Sequence, residues 1–304
     1  MITTLLSIIT VYFFIVLGYM AKRIFKKDMS SKTLTLMSVY FLQPFVTMWG
    51  FSTAKLHSEH IFVPLFYLGI IFILSIPTMI IAKKFFKDKK EQAIFSIAGL
   101  VGNTGNIGIP LGLALFGEES VIFTTLITIA NVFVIYIIGV YTYSHGSFSI
   151  RQSLFNIIKI PIIPVSVFAI FLNIYDVPIN DQFKDFFKMG AYAGIVLQLF
   201  IMGTFMHDLT FHNVNPKLYI GTLSQKFIIL PIASALLLSL TNLPLFVQAV
   251  MLMQMMTPLA IANVILASLY NCRPKDVTML VLISTLLFIP IIFLLSYIIN
   301  HFYL

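Results

Sequence analysis

The residues with the most chemical potential lie in one stretch, Gly99-Leu-Val-Gly102-Asn103-Thr104-Gly105-Asn106-Ile-Gly108-Ile-Pro110-Leu-Gly112. Five glycines, one proline and three polar side chains share fourteen residues of otherwise apolar chain. Such a run is a poor helix, since glycine costs about 1 kcal/mol and proline about 3 kcal/mol relative to alanine. Pro110 also removes a backbone donor and crowds the carbonyl four residues back. In an apolar medium the freed backbone groups need partners, so unwound backbone survives only when buried in protein or lining an aqueous cavity. Asn103, Thr104 and Asn106 could serve as those partners or bind a solute directly.

A second stretch has the same character. In Gln254-Met-Met-Thr257-Pro258-Leu-Ala-Ile-Ala-Asn263, Pro258 interrupts an apolar run flanked by Gln254, Thr257 and Asn263. Paired interrupted helices point to a transport site, because half-helix N-termini present free N–H groups and positive dipole ends at mid-membrane. A carboxylate is a natural guest for them. Lys226, five residues before Pro231, is a cation well inside an apolar run; it could attract an anion or stand in for a coupling cation. Gln43, beside Pro44, could add a wall to the site. The plainer readings are close helix packing at the glycines, simple kinks at the prolines, and a Lys226 that snorkels to the interface. For Asn131, Gln198, Gln225 and Gln248 the expected role is interhelical hydrogen bonding.

Other chemistries find no support. No G-x-S-x-G, H-E-x-x-H or Walker sequence occurs, so neither an enzyme nor a bound cofactor is expected. Cys272 is a single cysteine, which excludes internal disulfides and cysteine metal clusters. His57 and His60, and likewise His207, Asp208 and His212, read as solvated loop or helix-end groups rather than metal ligands, and no metal site is expected.

The elements that position these residues follow from composition. Of 304 residues 59% are hydrophobic and 10% charged, with a mean hydropathy of +0.99; soluble domains carry about 25% charged residues. Lipid must cover the excess apolar surface. Long continuous apolar runs favour helices over the short alternating strands of a barrel. The runs place ten spans near 2–21, 33–52, 61–82, 92–116, 120–144, 153–174, 186–207, 217–240, 245–270 and 276–300. The net charge of +8 does not indicate nucleic acid, because the cations cluster in loops. Lys22, Arg23, Lys26, Lys27, Lys32, Lys83, Lys84, Lys87, Lys89, Lys90, Arg151, Lys159, Lys217, Arg273 and Lys275 follow odd-numbered spans, against Lys55, Lys184 and Lys188 on the other side. Positive loops stay cytoplasmic, so both termini are expected outside. The first span runs directly into Lys22-Arg23 and is not read as a cleaved leader. Five spans in 1–150 and five in 151–304 would give two halves of opposite orientation. Pro77 and Pro231, and Pro110 and Pro258, fall in corresponding spans of the two halves.

The motif Asn103-Thr104-Gly105-Asn106-Ile107-Gly108-Ile109-Pro110-Leu111, followed by Ala114-Leu115-Phe116-Gly117, resembles the signature of bacterial members of the auxin efflux carrier family. Pro258-Leu-Ala-Ile-Ala-Asn263, Ala267-Ser268-Leu269-Tyr270 and Lys226-Phe-Ile-Ile-Leu-Pro231 are similar to its later motifs. The resemblance spans essentially the whole chain. It implies an all-α membrane fold like that of the bile acid:sodium symporters, with two inverted five-helix repeats and broken helices 4 and 9 crossing at mid-membrane. It also implies a scaffold of helices 1, 2, 6 and 7, a mobile core of helices 3, 4, 5, 8, 9 and 10, and a homodimer through the scaffold. Members carry organic anions such as auxin or malate-like dicarboxylates, and Asn103, Asn106, Pro110 and Pro258 would form the crossover. Gly105-Asn106 departs from the glycine and aromatic residue more usual in bacterial members, and no long central hydrophilic loop is present as in the long plant carriers. The expectation is a plasma-membrane permease for small organic anions, with a channel, sensor or scaffold as the alternative.

Overall fold

The computed structural model describes residues 2–53, 55–144, 160–207 and 215–302, and among them the regular structure is helical, with one isolated antiparallel bridge, Gly102 to Leu259. Among the described residues six helical runs are long and apolar enough to cross a membrane: Ser31–Ser52, Phe62–Phe85, Ser120–Tyr143, Asp181–His207, Pro216–Leu238 and Pro274–Leu295. Thr104–Phe116, Ile162–Ile174 and Leu245–Met256 are shorter apolar helices. The first and third of these are shortened by the two interruptions expected from the sequence. The predicted sixth span begins at residue 153, and its first residues, with Arg151 and Lys159, lie outside the described set, as do Asp208 and His212.

The chain divides into two compact units interleaved in sequence. The first holds Met1–Phe62, Gly105–Ile129 and Ile157–Leu209. Helix Ile2–Phe25 lies along Asp181–His207, and the contact is made of backbone. A methyl group at Gly18 would strike the Phe200 carbonyl, and one at Gly203 the Ile15 carbonyl. Small residues let helices approach to this distance where the hydrophobic effect between helices is absent. Asp181–His207 also packs on Gln43–Thr53, with Gly190 under the Phe45 ring and Gly194 under Leu42. Val46, Trp49, Ile109, Val121, Ala191 and Ile195 form a buried apolar cluster in this unit.

The second unit holds Val63–Thr104, Ala130–Asn156 and Thr210–Leu304. It contains both interruptions. Along its helices Ile73, Ile76 and Ile80, and then Ile228, Ile232 and Leu236, are exposed at helical spacing. Such stripes on a folded surface mark contact with an apolar solvent.

Among the described residues four helical runs widen locally into π-turns, at Ser38–Leu42, Thr104–Gly108, Ile135–Gly139 and Gln225–Ile229. Three of them end two residues before a proline: Pro44, Pro110 and Pro231. A proline has no N–H for the carbonyl four residues back, and widening the preceding turn relieves that misfit. The amide of Gln43 accordingly donates to Ser38 O and that of Leu230 to Gln225 O, both five residues back. Pro77 and Pro290 sit inside α-helix without such a turn, so the proline permits the π-turn but does not impose it.

Candidate functional site

The first interruption begins after Lys89–Ile97 and ends where the chain re-enters helix at Thr104. The sequence suggested a break around Pro110, but Pro110 lies in the first turn of Ile109–Phe116. It follows directly on the π-turn Thr104–Gly108, inside the helical run Thr104–Phe116, and the widened turn relieves the missing N–H. The unwound backbone is the glycine-bearing stretch just upstream. The second interruption, between Leu245–Met256 and Ile261–Leu269, contains Thr257 and Pro258.

The two interruptions are joined by backbone. Asn103 N donates to Pro258 O at 2.8 Å and Ala260 N to Val101 O at 3.0 Å. Leu259 N donates to Ser284 Oγ at 3.1 Å, and Asn131 Nδ2 donates to Gly102 O at 2.8 Å. The backbone groups released by each break are thus returned to the other break or to a side chain, as an apolar surrounding requires. Asn131 also donates to Thr104 Oγ1 at 3.1 Å and accepts from Tyr67 Oη at 2.9 Å. This buried triad holds the Gly102 peptide from the side opposite the bridge partner.

The glycine at the centre of the bridge is required by a close approach. A methyl group at Gly102 would lie 2.6 Å from Thr257 Oγ1 and 2.8 Å from Lys226 Nζ. Both polar groups therefore rest against its bare Cα. Gly99, one turn earlier, is approached by Gln225 Oε1 and Thr222 O. Lys226 is 1% exposed, and among the described residues its ammonium has no ion-pair partner and no hydrogen-bond acceptor. In the same unit the buried amides of Gln225, its neighbour in the chain, and of Gln254, just before the second break, have neither Nε2 nor Oε1 partnered, and Asn263 Nδ2 is also unpaired. Orphaned buried polar atoms each cost about 1–3 kcal/mol. Their concentration beside an unwound bridge marks the place where this unit is built for something other than stability.

One comparison decides the identity. The family model described as membrane transport protein matches this chain over residues 3–149 and 145–296. The chain belongs to that family, the auxin efflux carriers. It is also similar to an uncharacterized transporter of Methanocaldococcus jannaschii, 23% identical over 287 residues that cover 91% of this chain and 93% of the relative. Both findings point to transport rather than catalysis.

In this family member the nine residues singled out from sequence separate into two groups. Asn103, Thr104, Lys226, Thr257 and Pro258 come together at the bridge in the second unit, all buried. Asn263 lies in the same unit, where its Oδ1 accepts from Tyr143 Oη at 3.2 Å. Gln43, Asn106 and Pro110 belong to the first unit. There a methyl group at Gly105 would lie 3.1 Å from Gln43 Nε2. Pro110 lines an apolar cavity of about 350 Å³ with Thr10, Phe14, Leu113, Tyr192 and Leu199. Sequence reasoning missed the weight of Gln254, Tyr67 and Asn131. Polar type inside an apolar run is the signal that could have found them. Among the described residues no group of three metal-ligating side chains occurs. His57 and His60 instead stack edge to face at 5.4 Å.

A charged cluster ties helix ends within the carrier's second unit. Arg273 pairs with Asp88 at 2.6 Å, Glu91 at 2.7 Å and Asp276 at 3.4 Å, and Asn215 Nδ2 donates to Glu91 at 3.1 Å. Asp88 also caps Lys89–Ile97 through the Lys90 amide. Burial raises the Asp88 carboxyl, but the Lys90 amide and the Arg273 guanidinium outweigh it and hold it below its ordinary value. Burial pushes the Cys272 thiol up to about 12, so it stays protonated and unreactive.

Proposed function

We propose that this chain is a secondary transporter of small organic anions, mono- or dicarboxylates, working by alternating access with the anion held at the bridge between the two interruptions. The observation that carries this reading is the buried Lys226 ammonium, set against Gly102 with no carboxylate paired to it among the described residues. A buried cation needs a counter-charge, and a carboxylate ligand would supply one. The helix Ile261–Leu269 starts beside the bridge with no side-chain cap, adding free N–H donors and a positive dipole end. Unpartnered amides of Gln225 and Gln254 offer both donors and acceptors to a polar solute.

The wider frame is ten spans in two inverted halves, 1–150 and 151–304, in the plasma membrane with both termini outside. Helices 1, 2, 6 and 7 act as scaffold and dimer surface, and the remaining helices as a moving core. Gln43, Asn106 and Pro110 are proposed as further substrate contacts. The test is uptake of labelled malate and indole-3-acetate into proteoliposomes. Asn103→Ala removes a side chain at the bridge and is expected to abolish specific uptake while expression and monodispersity persist. Undiminished uptake by that variant would sink the assignment of the site.

A further inference from the structure

Lys226 sits at the bridge as an amine whose charge, when protonated, no described protein group balances. The elements packed on its turn, Gln225–Ile229, are Pro216–Ser224, Leu230–Leu238 and Leu245–Met256. Their titratable groups are Lys217 and Tyr219, and the Tyr219 hydroxyl is donated to the Asp276 carbonyl. The hydroxyls of Tyr67 and Tyr143, buried in the same unit, are donated to Asn131 and Asn263. The acids of the unit's charged cluster, Asp88, Glu91 and Asp276, are engaged by Arg273. At the bridge the amine lies against the bare Cα of Gly102. The side chain does not snorkel either, since 1% of it is exposed and its Nζ lies against the unwound Gly102.

A desolvated ammonium without a counterion is unfavourable, whereas the same group as neutral amine, or as ammonium beside an anion, is not. Anion binding and protonation of this amine must then favour one another, and by linkage the effect is reciprocal. We propose that Lys226 is the coupling group of the carrier: the neutral amine takes up one proton as one anion binds, both cross together, and both leave on the far side. The amine returns neutral, so the balance is one proton per anionic charge paired at Lys226, and no sodium ion is required. This rests on the reading of the bridge as an anion site.

The test is calorimetric titration of the purified protein, sodium-free, with acetate, L-malate and indole-3-acetate between pH 6 and 9. Two buffers of different ionisation enthalpy report the protons taken up. Binding is expected to draw close to one proton at the alkaline end and to weaken about tenfold per pH unit there. Lys226→Arg keeps a permanent charge, so it should bind with no proton uptake and no pH dependence over this range. Lys226→Met, neutral and similar in length, should lose affinity at least tenfold. Wild-type binding without proton uptake, or binding that requires added sodium, overturns the coupling role and leaves the anion site standing. Absence of binding by all three carboxylates overturns the anion site itself.

Discussion

The first unit and the bridge of the second solve the same problem, keeping backbone polar groups out of lipid, in opposite ways. Helices Ile2–Phe25 and Asp181–His207 leave every turn regular and gain contact by removing side chains at Gly18 and Gly203. The bridge gives up helix at Ala98–Asn103 and Thr257–Ala260, then repairs the loss with cross-strand bonds and Asn131. The contact in the first unit has almost no freedom, because backbone meets backbone. At the bridge the groups facing Gly102 are the ends of side chains, Thr257 and Lys226, which can move. Orphaned polar atoms are not confined to the bridge, since Gln198 in the first unit also keeps both amide atoms unpartnered. What distinguishes the bridge is a buried amine set against an open backbone, with Gln225 and Gln254 unpartnered on the segments that meet there.

The comparison predicts where substitution harms the fold and where it harms transport. The largest stability loss is expected for Gly203→Val, whose side chain would enter the Ile15 backbone. Overpacking of this kind costs about 3 kcal/mol or more, and the loss should appear as aggregated or absent protein in detergent. Gly102→Ala should instead fold, with Lys226 and Thr257 shifting aside. Its anion uptake is expected to drop at least tenfold while its melting temperature moves little. A Gly102 variant as unstable as the Gly203 variant would erase the distinction between the two regions.

Asn131→Ala comes next, leaving the Gly102 carbonyl and the Tyr67 hydroxyl unpaired, at about 2 kcal/mol by denaturation. Tyr67→Phe, which removes one bond of the triad, should cost about 1 kcal/mol. Arg273→Ala is expected to cost about 1 kcal/mol or more, because the buried Glu91 and Asp276 lose their cation while only the Asp88 pair is part-exposed and screened. Its sign with pH is set by Asp88. A carboxylate held below its ordinary value stabilises above the unfolded value, near about 4, and that share vanishes as pH falls through the lower folded one. The stability gap between wild type and Arg273→Ala should therefore close below about pH 4.

Much of this was legible in the residues. The interruptions announced themselves through Gly99–Gly112 and Thr257-Pro258, since glycine and proline tax a helix wherever they stand. Their placement was not legible. Pro110 draws attention, yet the π-turn Thr104–Gly108 accommodates it within the helical run Thr104–Phe116, and the chain unwinds upstream at Gly102. The π-turns before Pro44, Pro110 and Pro231 were equally hidden, because Pro77 and Pro290 stand in helix without them. Lys226 stood out as a buried charge. That it meets Gly102 depends on packing between distant segments, which neither periodicity nor composition encodes. Asn131 showed only a polar type in an apolar run, and its three partners emerge from the fold.

The most direct measurement of the central claim is counterflow. Proteoliposomes loaded with unlabelled L-malate or indole-3-acetate and diluted into trace labelled anion should accumulate label transiently above equilibrium. Gly102→Ala and Asn103→Ala should fail to do so. Equilibration without overshoot in the wild type, at a rate untouched by either substitution, would contradict a carrier that binds its anion at the bridge.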